Sequence, residues 1–60
     1  MNKPKVAIIG GKSHFLAPDA YGDVCLWRGL PDDPDPIAVE DERTCDPYVW
    51  MLILAQFKEN

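Results

Sequence analysis

The sequence is poor in residues that hold metals or do covalent chemistry. It has one histidine, His14, and two cysteines, Cys25 and Cys45, twenty residues apart. A structural zinc site takes four ligands, usually in close pairs, and these three are unpaired. The same scarcity argues against a Cys–His nucleophile, because no pattern here builds an oxyanion hole. Phosphate binding fails on a different absence. Gly11-Lys12-Ser13 ends a P-loop correctly, but Val6 stands where its first glycine belongs. The helix that should follow is replaced by His14-Phe15-Leu16-Ala17-Pro18. No cofactor and no metal is expected, and the chain reads as non-enzymatic.

Positive charge is also scarce, with six Lys and Arg against ten Asp and Glu and a net charge of -4. Residues 1–31 carry Lys3, Lys5, Lys12 and Arg28 against Asp19 and Asp23, a net of +2. Residues 32–46 carry Asp32, Asp33, Asp35, Glu40, Asp41, Glu42 and Asp46 against Arg43 alone, a net of -6. Lys58 and Glu59 balance in the remainder. An acidic block repels nucleic-acid backbones, which reward clustered Lys and Arg. It suits a basic surface on another protein. A calcium loop is not encoded: Asp33 and Asp35 alternate, but Thr44 falls at the twelfth position and no glycine at the sixth.

Long apolar runs are missing too. The longest, Tyr48–Ala55, has eight residues, far short of the roughly 20 that span a bilayer. The start of the chain has only a short apolar run before Gly10-Gly11 and Lys12, not the h-region of a signal peptide. The expectation is a soluble cytoplasmic protein, with both cysteines as free thiols in a reducing compartment.

What is present reads as one small domain over residues 1–60, of α+β class. Lys5–Ile9 is β-branched and apolar, as a strand should be. Gly10-Gly11 suits a two-residue hairpin, with the return strand over Lys12–Ala17. Ser13, Phe15 and Ala17 would share one face of it, and His14 and Leu16 the other. Pro18–Gly22 is a turn by composition. A third strand follows over Asp23–Arg28, with Val24 and Leu26 on one face and Cys25 and Trp27 on the other. Pro34 and Pro36 make 32–36 an exposed acidic loop, and Ile37–Val39 is a short fourth strand followed by a polar connection, 40–43. The expected sheet is therefore a three- to four-stranded antiparallel meander.

The last third, Asp46–Lys58, holds the densest apolar material. Asp46-Pro47 is a helix start, and Met51, Leu52, Leu54 and Ala55 favour a helix. Tyr48, Val49, Trp50 and Ile53 favour a strand, which would make the fold an all-β meander or small barrel. The start signal decides for a helix, with Val49, Leu52, Ile53 and Phe57 facing the sheet. One sheet covers one face, so apolar surface drawn from Tyr48, Trp50, Met51 and Leu54 should stay exposed, and such patches mark interfaces. Trp50 is the expected anchor.

The function expected is that of a small acidic protein that binds another protein. Asp32, Asp33, Asp35, Glu40, Asp41 and Glu42 would steer it to a basic surface. Tyr48, Trp50, Met51 and Leu54 would supply affinity or hold a homodimer. By analogy of size and charge alone, this suits a phage-type inhibitor occupying the basic surface of a host nucleic-acid-handling protein. The alternative is a structural homo-oligomer assembled through the C-terminal apolar segment.

Overall fold

The computed structural model describes residues 4–58; Lys3 and Glu59, part of the charge layout above, lie outside them. Four strands, β1 (Val6–Ile9), β2 (Lys12–Pro18), β3 (Val24–Arg28) and β4 (Ile37–Asp41), precede one helix, α1 (Pro47–Lys58). The strands form an open antiparallel sheet in the order β1-β2-β3-β4. The all-β alternative is excluded by α1.

Each junction follows from local chemistry. Gly10 and Gly11 have φ of 59° and 79°, both in the region closed to most side chains, so the two-residue turn pairs Ile9 directly with Lys12. Pro18 is tolerated in β2 because β1 has already ended at the Val6–Phe15 pair, leaving that side of β2 open. In the β2–β3 turn, Asp19 Oδ1 accepts the N–H of Tyr21 at 2.8 Å and of Asp23 at 3.1 Å, as aspartate does in tight turns. Before α1, Asp46 Oδ1 accepts the N–H of Tyr48 at 2.9 Å and of Val49 at 3.3 Å. Asp46 is thus the N-cap and Pro47 the first helical residue.

The core lies between α1 and one face of the sheet. Ala7, Leu26, Trp50 and Phe57 form its centre, with Ile9, Leu16, Val24, Cys45 and Ile53 packed around them. Strand alternation puts Ala7, Ile9, Leu16, Val24 and Leu26 on the helix side. His14 shares that side and is buried. Its Nδ1 donates to the Lys12 carbonyl oxygen at 2.8 Å. Phe15, Cys25 and Trp27 project to the other side, where the Phe15 and Trp27 rings lie nearly parallel with centroids 6.4 Å apart. Trp27 Nε1 donates to the Ala17 carbonyl oxygen at 3.1 Å.

Two expectations are corrected. The buried face of α1 is Trp50, Ile53 and Phe57, while Val49 and Leu52 face outward. Trp50 and Phe57 are two helical turns apart and present the larger surfaces, so the helix rolls until both rings meet the sheet. Trp50 is therefore a core residue, 8% exposed, and not an exposed anchor. The fourth strand also continues through Glu40 and Asp41. The far end of the helix is tied back to the start of β1, where Lys5 Nζ donates to the Phe57 carbonyl oxygen at 3.2 Å.

Candidate functional site

The acidic block is continuous in sequence but divided in space. Asp32, Asp33 and Asp35 sit on the exposed β3–β4 loop, while Glu40, Asp41 and Glu42 lie at the other end of β4. The strand between them spans about 13 Å at the usual rise per residue. Asp33 helps shape the loop: its N–H donates to the Leu30 carbonyl oxygen at 2.9 Å. Gly29 has φ of 131°, a backbone conformation that side chains rarely adopt, so the turn favours a glycine there. Between the two acidic groups, Ile37, Ala38 and Val39 are exposed on the sheet edge.

A β-bulge decides where the second group points. Trp27 pairs with Ala38, but the next residue along, Leu26, pairs with Glu40, so Val39 is the extra residue. Beyond it, Asp41 stands opposite Cys25 on the side away from the helix. There it meets two acids from the β2–β3 turn. Carboxylate oxygens of Asp19, Asp23 and Asp41 all lie within 4.8 Å of one another. Nothing in the sequence pattern marks Asp19 and Asp23 as partners of Asp41, because the meeting depends on the bulge.

The cluster has its own electrostatics. Asp41 is held above the usual carboxylate range by its hydrogen bond to the Asp19 carboxyl, and Asp19 is held below that range by the same bond. The asymmetry has a structural cause. Asp19 accepts two backbone N–H groups and Asp41 accepts one, from Arg43 at 2.7 Å, so Asp19 is the better-stabilised anion. Arg43 Nε lies 3.6 Å from Asp23 Oδ2 on a largely exposed side chain, an ion pair worth little in water. The three carboxylates have the hard-oxygen chemistry of a cation ligand set. Each contributes one ligand atom, against the six to eight oxygens that calcium takes. The arrangement is an acidic cluster and not, by itself, a metal site.

A shallow pocket of about 230 Å³ opens beside it, lined by Asp19, Cys25, Ala38, Val39, Glu40, Asp41 and Thr44. Burial pushes the Cys25 thiol up, with Asp19 and Asp41 adding to the effect. Cys45 is pushed up as well, by burial and then by Glu40 and Asp46. Both thiols are free and neither has the electropositive surroundings of a reactive cysteine. His14 and Cys25 lie on opposite faces of the sheet, which separates two of the soft metal ligands.

The apolar set divides differently. Tyr48 and Met51 are 70% and 67% exposed, Leu54 is partly exposed at 37%, and Trp50 is withdrawn into the core. Leu52, expected inside, is exposed instead. The helix thus presents Tyr48, Met51 and Leu52 outward. No described helix is long and apolar enough to cross a membrane. No family model, curated protein or solved structure matches the chain.

Proposed function

We propose that this is a non-enzymatic protein that acts in the cytoplasm by binding another protein through the acidic edge of its sheet. The observation that supports this reading is the layout of the β4 side. Asp32, Asp33 and Asp35 stand at one end, and Glu40, Asp41 and Glu42 at the other, joined there by Asp19 and Asp23. Arg43 is the lone basic side chain in the second group. A surface of one sign steers a partner of the opposite sign and fixes its register. The exposed Ile37, Ala38 and Val39 between the two groups give the contact an apolar centre with a charged rim, which is the usual anatomy of an interface. The partner is a protein with a basic face. A nucleic-acid-handling protein, whose own ligand is polyanionic, has such a face, and occupation of it would make this chain an inhibitor of the phage type.

Capture from cell extract tests the reading. The wild-type chain should retain basic proteins, with retention falling steeply as salt rises, since screening shortens the field to about 10 Å at 0.1 M. Replacing Asp32, Asp33 and Asp35 together with Asn should weaken capture and flatten the salt dependence. Unchanged capture and salt response in that variant would leave the loop as ordinary solvated surface and end the proposal.

A further inference from the structure

We propose that the outer face of α1 is the contact between two copies of this chain, related by a two-fold axis that lays one helix against the other. This stands apart from the acidic-edge reading and uses different residues.

With Trp50, Ile53 and Phe57 turned to the sheet, the opposite side of the helix carries Tyr48, Met51, Leu52 and Ala55. Their spacing of three, four and seven residues makes one continuous stripe. The outward stripe of a surface helix is normally charged. Here no residue from Pro47 to Phe57 carries a charge, and Lys58 alone is basic in the last turn.

Area sets the strength of the contact. Tyr48, Met51 and Leu52 in the stripe are 70%, 67% and 51% exposed, with Val49 and Leu54 on its two flanks at 42% and 37%. At about 200 Å² for a full aromatic side chain and about 100 Å² for an aliphatic one, the stripe presents roughly 260 Å² of apolar surface. Homodimer interfaces are about 65% apolar. Two such faces would then bury about 800 Å² in total, and about 1,000 Å² with the flanking residues, the size of a weak, reversible contact.

Charge selects the occupant. A partner recognised by complementary charge finds nothing to read on this stripe. An anionic bilayer is disfavoured, since interfacial helices flank their apolar face with Lys and Arg and this chain has a net charge of -4. A second copy brings the same uncharged stripe and self-complementary chemistry, as an isologous contact requires. The thin core points the same way. Six apolar side chains are buried against ten large ones left exposed among the described residues, and both cysteines are free. Chains this small lean on a staple or on association.

Sedimentation equilibrium of the full chain over a dilution series tests the proposal. The wild type should move from the mass of two chains to that of one on dilution. A Met51→Lys, Leu52→Lys variant should stay monomeric while keeping its helical circular dichroism, because lysine is a good helix former. The introduced lysines of both copies would meet across the two-fold axis, where desolvation and mutual repulsion of their ammonium groups both oppose the contact. Ile8→Lys, at a site 61% exposed on the other face of the sheet, should dimerise like the wild type. If the double variant unfolds, Tyr48→Lys alone takes its place. A wild type monomeric at every concentration, a folded variant that still dimerises, or a species larger than a dimer would each overturn the proposal. So would a monomer that binds lipid vesicles or another protein through the same residues.

Discussion

Asp19 and Asp41, from the two sides of β3, are joined by a carboxyl–carboxyl hydrogen bond that splits their titration: Asp41 holds its proton to higher pH than an ordinary carboxyl, and Asp19 gives its own up at lower pH. The pair is most favourable with one proton between them. Below the ordinary aspartate value of 3.8 Asp41 contributes its full stabilisation, which is lost as pH rises through its raised pKa. Asp19 contributes above that value and loses its contribution as pH falls through its lowered pKa.

Asp41→Asn separates these effects. Asparagine keeps an oxygen for the Arg43 N–H and supplies an N–H to Asp19 without a second charge. Relative to wild type, the variant should be as stable or more stable at neutral pH, and this advantage should shrink as pH falls through the raised pKa of Asp41. Melting temperatures of both proteins from neutral to acid pH check it. Parallel curves would show that the two carboxyls titrate independently.

The two aromatic residues at the start of α1 should behave oppositely. Trp50→Ala empties a core site and should cost about 3–5 kcal/mol, enough to unfold a marginal chain of this size. Tyr48→Ala, at an exposed position, should stay within about 0.5 kcal/mol in the monomer. Urea titration at high dilution reads both. Equal losses would mean that Trp50 is not the residue closing the core.

Thiol labelling should distinguish the cysteines. Cys25 is 2% exposed and Cys45 half-buried, and both thiols titrate above their ordinary value. An alkylating reagent at neutral pH should modify Cys45 first, more slowly than a free cysteine, and reach Cys25 only as the protein unfolds. Mass spectrometry of the folded protein over time reports the order. Rapid labelling of Cys25 would contradict its burial in β3.

Much of the fold was legible because local signals agreed with one another. The glycine pair set the first hairpin, Pro18–Gly22 marked the second turn, and Asp46-Pro47 decided for a helix where the apolar run alone was ambiguous. The rotation of α1 was not legible, since an almost wholly apolar helix has no polar side to orient it. Its roll is set by which side chains fill the gap above Ala7 and Leu26, and only the packed structure shows that these are Trp50 and Phe57. The candidate acidic surface was legible as composition and not as geometry. Residues adjacent in sequence were carried to opposite ends of β4, and Asp19 and Asp23 were brought in from another turn.

The bulge at Val39 has a consequence for how such a chain varies over time. In a regular ladder continuing from the Trp27–Ala38 pair, Val39 would stand opposite Leu26 and face the helix, and Asp41 would turn to that same side. The extra residue forgoes a core valine and delivers an aspartate to the far face. The carboxylate cluster is thus written in the length of a strand. Loss of a single codon there would invert the edge at one stroke.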